Sequence, residues 1–194
     1  MSRIIFDTAT AVNGWIADRD NSLGWLFAVP GSEEADAELT PPDARVMVEG
    51  STTYEWVLAE TGALETPEKW REFHGDRVVF VFTTRDLPVP EGADVRLVRG
   101  SVQENLAAIR EAAGEGDIWV VGGGDLAGQS VDAGALDRIG LSVAPVALDG
   151  GAPLLPRRSE SDRLRLVSAT AHGQFARLIY DVVPPNVTSD TART

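Results

Sequence analysis

Three short clusters carry residue types suited to holding phosphate, and each stands where an apolar run gives way to a helix or a loop. The first is Gly50-Ser51-Thr52-Thr53. Backbone N–H groups, hydroxyls and the positive end of a following helix can together take an anion there, and a plain helix N-cap satisfies the same pattern. The second is Gly122-Gly123-Gly124-Asp125, directly after Trp119-Val120-Val121. Consecutive glycines let backbone approach a ligand without Cβ interference, although a tight strand-to-helix turn needs one or two of them as well. Asp125 departs from a neutral phosphate loop and can serve as the helix N-cap. The third is Thr83-Thr84-Arg85, two hydroxyls and a guanidinium of the kind a ribose 2′-phosphate requires. Its alternative is a surface loop in which Arg85 pairs with Asp86 or Glu91.

Other chemistries have little to build on. Cysteine is absent and the two histidines, His74 and His172, lie far apart, so no Cys-His pair, no histidine metal site and no convincing Ser-His-Asp set can be assembled. The glycine spacing is not the G-x-G-x-x-G dinucleotide fingerprint, and a Rossmann-type dehydrogenase is disfavoured on that ground. Phosphate-binding strand ends without a nucleophile suit a reaction whose chemistry a cofactor carries.

The elements that would position these clusters alternate. Arg3–Thr10 reads as a buried strand, with Asn13-Gly14 as a turn and Trp15–Ala17 resuming the apolar pattern. Asp18 to Pro42 is loop-rich but holds Trp25, Leu26 and Phe27, which predicts that it packs over something. Asp43–Glu49 is a second strand, followed by a helix that Ser51 or Thr52 can cap, and Pro67–Phe73 is a short helix with proline at its start. Arg77–Phe82 is a continuous apolar run suited to a central parallel strand. Val95–Val98 is a short strand, and Ser101 with Glu104 forms a capping box for a helix through Ala113. Asp117–Val121 is buried strand, and a helix starts at about Asp125. Leu141–Val146 follows, and Arg163–Thr170 and Phe175–Val183 form an antiparallel hairpin joined by Ala171-His172-Gly173-Gln174. The order predicts one α/β domain over residues 1–183, with a mostly parallel central sheet, right-handed crossovers and a frayed tail over 184–194. In such sheets ligands bind beyond the carboxyl ends of the strands, where all three clusters stand.

Composition narrows the partners. A chain of 194 residues with 43% hydrophobic and 24% charged residues can bury a sizeable core. A net charge of −13 disfavours nucleic acid, whose phosphates need neutralising cations. No apolar run is long enough to cross a bilayer and no leader pattern precedes the first strand, so no membrane partner and a cytoplasmic location are expected.

Taken together, DTATAVNGWIADRDNSLGWL, VEGSTTYEWV, VFVFTTR and VVGGGDLAGQSVDAGALDRIGLSVAPVALDGGAPLL resemble, in order, motifs of the dihydrofolate reductase-like superfamily. The branch most similar is the C-terminal reductase domain of the bifunctional riboflavin-biosynthesis deaminase/reductase, and the likeness spans roughly residues 2–183. The resemblance implies a three-layer α/β/α fold, NADPH as cofactor, and hydride transfer to a small planar pteridine- or pyrimidine-like heterocycle. It implies that Gly50, Ser51, Thr52 and Thr53 meet the cofactor phosphates and that Thr83, Thr84 and Arg85 meet the 2′-phosphate. Gly122, Gly123, Gly124, Asp125, Leu126 and Ala127 would line pyrophosphate and nicotinamide, with Ala9 and Ile16 framing the ring. Asn13, Gly14 and Trp15 would begin a loop over the substrate, with Trp25 as a stacking residue. Two departures stand out: Ser51 replaces a usual arginine, and Asn13 replaces the branch's usual aspartate. Asp7, Glu33 and Glu34 are candidate replacement acids, with Asn13 and Asp7 the named candidates for catalysis. A non-catalytic member that binds a nucleotide or folate-like ligand is the alternative, and a homodimer is the implied assembly.

Overall fold

The computed structural model describes residues 2–32, 41 and 43–184. Its sheet is built outward from the first strand, β1 (Ile4–Ala11), which runs parallel between β6 (Asp117–Gly122) and β7 (Arg138–Ala144). On the β6 side lie β3 (Ala44–Gly50), β4 (Val78–Phe82) and β5 (Val95–Val98), all parallel. On the β7 side the hairpin β9 (Leu164–His172) and β10 (Phe175–Val182) turns the sheet antiparallel. The full order is β5-β4-β3-β6-β1-β7-β10-β9, and a separate two-stranded piece pairs β2 (Trp15–Ala17) with β8 (Ala152–Pro153).

Both faces of the parallel part are covered, which explains the continuous apolar runs. Alternation along β3 sends Val46 and Val48 to one face and Met47 to the other. The first face packs with Phe6 and Ile118 against α4 (Val102–Ala113) and α5 (Gly124–Asp132). The second packs with Val79 and Val81 against α2 (Ser51–Thr61) and α3 (Glu68–His74). Each fully buried Phe or Ile side chain contributes about 1.5–3 kcal/mol by leaving water. The result is the expected α/β/α sandwich with its hairpin at one edge.

Local chemistry sets the helix limits. Ser101 caps α4 in a complete capping box with Glu104. Gly62 ends α2 with φ 65°, a left-handed conformation glycine adopts without Cβ strain. Five expectations need correction. Ser51 is the first residue of α2 and Gly50 its N-cap, so neither Ser51 nor Thr52 caps it. Likewise α5 begins at Gly124 with Gly123 as N-cap, which leaves Asp125 inside the first turn. The strand over Val78–Phe82 lies next to the sheet edge and is covered on both faces by helices and loops, so its apolar run does not mark it as central. The strand expected at Leu141–Val146 runs instead from Arg138 to Ala144, because Ile5, Phe6 and Asp7 take residues 138–140 as partners and β1 ends opposite Ala144. The hairpin turn is also shorter than expected, since strand pairing continues to His172.

Candidate active site

The three phosphate-suited clusters emerge side by side. Gly50 pairs with Phe82, and Glu49 pairs with Gly122, so the loops beginning at Ser51, Thr83 and Gly123 leave three adjacent strands at one end of the sheet. With strands about 4.8 Å apart, the span is about 10 Å. A Cβ placed on Gly50 would lie 3.7 Å from the Gly123 nitrogen. Neither α2 nor α5 has a side-chain cap at its start; in α5 the Leu126 N–H turns back to the Gly123 carbonyl at 3.0 Å, and no side chain covers the N–H groups before it.

A cleft of about 350 Å³ opens beside this end, on the face covered by α2. It exists because β1 pairs with β6 only as far as Phe6, whereas its pairing with β7 continues to Ala11. Beyond Phe6 the sheet parts. The opening is walled by Trp119 and Val121 from β6, Thr53, Trp56 and Val57 from α2, and Ile16 from β2. The helix α1 (Gly24–Phe27) adds Leu26 and Phe27, and the Phe27 ring stacks on Trp56 at 6.1 Å. Gly50, Thr52, Gly122, Gly123, Thr8, Ala9 and Asp7 also line it, and the Gly122–Gly123 peptide is cis. A more open groove of about 820 Å³ lies at the opposite ends of the strands, bordered by Arg3, Asp43, Arg45 and Asp117. It holds charged surface groups and none of the expected site residues, so the smaller apolar cleft is the better candidate.

Expected site residues divide clearly. Ala9, Ile16, Gly50, Thr52, Thr53, Gly122, Gly123 and Asp7 line the cleft. Ser51, Thr83, Thr84 and Gly124 stand at the same strand ends without lining it. Arg85 donates to both carboxylate oxygens of Glu55, at 2.9 and 2.5 Å, so its guanidinium is already engaged and its pKa raised. Neither alternative partner, Asp86 or Glu91, takes it in the pairs seen. Asp125 accepts from Gln129 and Arg157, and these contacts hold its carboxyl below the usual range. Leu126 and Ala127 point into the core, leaving only their backbone to a ligand. Gly124 is wedged against the carbonyls of Pro153 and Leu154.

The loop residues fall outside the cleft. Asn13 donates to the Leu148 carbonyl at 2.6 Å and accepts from the Leu148 N–H at 3.2 Å. That reciprocal clamp needs a donor and an acceptor on one side chain, which asparagine has and ionised aspartate lacks. Gly14 closes the turn after β1 at φ 84° and accepts from Leu154. Trp15 pairs with Pro153, and Trp25 packs with Val29, Ala144 and Phe175. Glu33 and Glu34 lie outside the described residues.

Asp7 is the ionisable group in the described lining of the cleft. Arg177 of β10 donates to its two oxygens at 2.7 and 2.6 Å. Burial pushes the Asp7 carboxyl above its ordinary value, and the Arg177 hydrogen bonds pull against that. Trp119 donates from its indole to the Asp7 carbonyl at 2.9 Å, which fixes the cleft floor. Behind α2, Glu49 and His74 form a fully buried hydrogen-bonded pair at 3.0 Å, with the Trp70 ring stacked on His74 at 3.5 Å. Burial, with the neighbouring Glu49, pushes the Tyr54 phenol up to about 12.

Sequence reasoning missed Trp56, Phe27 and Trp119 as wall residues and Arg177 as partner of Asp7. Trp56 and Trp119 show only as apolar residues of a helix and a strand. Arg177 does break the apolar run of its strand, and a cation among Phe175, Leu178 and Ile179 was the available signal.

Residues 3–176 match the family model described as RibD C-terminal domain. The chain belongs to that family. YwjB of Bacillus subtilis (strain 168), an uncharacterized protein, is 25% identical over 172 residues, covering 89% of this chain and 93% of YwjB. A Shewanella sp. PV-4 protein assigned to riboflavin biosynthesis shares the fold at TM-score 0.70 and 22% identity, covering 94% of this chain and 99% of that one. Dihydrofolate reductase from Enterococcus faecalis, solved with NADP(H), aligns at TM-score 0.61 and 17% identity, covering 93% and 96%. These likenesses show a dihydrofolate reductase-like fold for the family member described here. Among the described residues, no helix is long and apolar enough to cross a membrane and no group of metal-ligating side chains is present.

Proposed function

We propose that the protein is an NADPH-dependent reductase that delivers a hydride to a small planar heterocycle of the pteridine or aminopyrimidine kind. The observation that carries this is the convergence of Ser51, Thr83 and Gly123 at three adjacent strand ends beside one apolar cleft. A dinucleotide fits what is there. The uncapped starts of α2 and α5 offer N–H groups and positive helix ends to the pyrophosphate. Gly123 has open space where a Cβ would stand, so backbone can approach the ligand. The dinucleotide-bound Enterococcus neighbour supports the same cofactor class.

Bound there, the cofactor would supply the hydride. The chain's own part is orientation and exclusion of water. Ala9 and Ile16 frame one ring, Trp56 and Trp119 wall the space for the second, and the apolar lining keeps the two in a dry site. Asp7, held by Arg177 on both oxygens, is the ionisable group at the floor. Thr83, Thr84 and the donors of Arg85 would meet the 2′-phosphate. A cytoplasmic homodimer formed along the exposed edge of β9 is part of the same proposal.

Tryptophan quenching tests it directly, since Trp56 and Trp119 line the cleft. Titration with NADPH quenches them with saturation below the millimolar range, and absence of a response sinks the proposal. Binding without turnover is a second possibility, favoured by Asn13, whose side chain is spent on Leu148. Loss of NADPH absorbance with dihydrofolate or an aminopyrimidine separates the two.

A further inference from the structure

We propose that the substrate's reducible ring carries an uncharged, aryl-sized substituent seated in a collar of Phe27, Trp56 and Phe73, and that sugar-phosphate substituents are rejected there. This deepens the function proposed above and rests on it for the cleft being the substrate site.

Three helices build the collar. Phe27 ends α1, Trp56 lies midway along α2 and Phe73 stands next to the last residue of α3, and all three line the cleft. The Phe27 and Trp56 rings face each other at 6.1 Å with their planes 14° apart. The Phe73 and His74 rings meet edge to face at 4.8 Å, and His74 is fastened to Glu49 of β3. The collar is therefore braced from the sheet. Its rings are nevertheless left open: Phe27 is 52% exposed and Phe73 36%. Every other aromatic ring among the described residues is buried or half-buried. A single exposed apolar side chain needs no explanation. Two aromatic rings on separate helices, both lining one cleft, mark a surface that a ligand covers.

Size decides what reaches them. The cleft's 350 Å³ is near the lower end of the roughly 300–1,000 Å³ of small-molecule sites. A nicotinamide and one reducible ring fill its interior, so a substituent on that ring projects to the collar. Charge decides what is accepted. Among the described lining residues there is no lysine or arginine. Arg177 is committed to Asp7 and Arg85 to Glu55. Lys69, one turn before Phe73, is exposed and lies outside the lining. The chain that continues from α1 carries Glu33, Glu34, Asp36, Glu38 and Asp43 and reaches no lysine or arginine before Arg45. A phosphate ester entering the collar would lose its water and gain no counter-charge. An aryl group would instead bury its apolar surface together with that of Phe27 and Phe73.

A matched series on one ring tests this with the full chain by isothermal titration: 6-phenylpterin, pterin and 6-hydroxymethylpterin phosphate. The phenyl compound is expected to bind at least tenfold tighter than pterin, and the phosphate no tighter than pterin. Phe27→Ala and Phe73→Ala, both at exposed rings, are each expected to shrink the phenyl-over-pterin ratio at least threefold. A loss of folding lowers both affinities alike, so the ratio reads the collar rather than stability. A phosphate probe that binds as tightly as the phenyl one overturns the inference. So do variants that keep the native ratio, or a native protein that binds none of the three compounds. The comparison of probes on the native protein decides the matter even if a variant does not fold. NADPH binding with no phenyl preference overturns this inference and leaves the reductase reading standing; phenyl preference without NADPH binding does the reverse.

Discussion

At the scale of single residues, charge placement governs which ligand is admitted. Arg85 is the cation we propose for a 2′-phosphate, and Glu55 already holds its guanidinium by two hydrogen bonds. Ser51, at the neighbouring strand end, supplies no charge. A 2′-phosphate must therefore compete with Glu55 for one guanidinium. Glu55→Gln is expected to tighten NADPH on the order of three- to tenfold while leaving NADH unchanged, measured by isothermal titration. Equal effects on both nucleotides would remove Arg85 from the 2′-phosphate role. The residue types at the three strand ends were legible in the sequence because hydroxyls, glycines and a guanidinium announce phosphate chemistry wherever they fall. Pairings between distant residues were not. Nothing local links Asn13 to Leu148, Glu55 to Arg85 or Asp7 to Arg177, and those contacts decide which side chains remain available.

At the scale of elements, the starts of α2 and α5 do the positioning. Gly124 opens α5 pressed against the Pro153 and Leu154 carbonyls, so the strand-loop over 145–155 and the helix hold each other in place. Gly124→Ala forces backbone apart on both sides. It is expected to cost about 1–3 kcal/mol in urea unfolding and to weaken dinucleotide binding in parallel. Full native affinity in a destabilised variant would show that the start of α5 does not contact the ligand. Alternation of apolar strands with capped helices made most elements readable, and the Ser101–Glu104 box marked α4 to the residue. The short α1 and the β2–β8 pair escaped. Each is held by tertiary contacts, such as Phe27 on Trp56, and carries no periodicity of its own.

At the scale of the whole molecule, arginine–carboxylate pairs tie distant parts of a strongly acidic chain. Burial works to raise the Asp117 carboxyl, but hydrogen bonds from Arg3 outweigh it and the group titrates below its ordinary value. Asp181, gripped by Arg165 and Arg138, is lowered as well. Groups lowered on folding stabilise above the unfolded carboxylate value and lose that contribution as pH falls below it and through their lower folded value. Asp7, raised by burial, works in the opposite sense: its contribution is present at low pH and is lost as pH rises through its folded value. Unfolding midpoints in urea are expected to fall between about pH 5 and pH 3, and less steeply in Asp117→Asn. An unchanged slope in that variant would exclude Asp117 from the effect. The central place of β1 has a further consequence, for synthesis. Its flanking partners lie at residues 118–120 and 138–144, so β1 leaves the ribosome well before the strands that enclose it. At roughly 5–20 residues per second, that apolar segment waits on the order of ten seconds before its neighbours exist. During that interval Ile4, Ile5 and Phe6, all buried once the fold is complete, stand open to association with other chains.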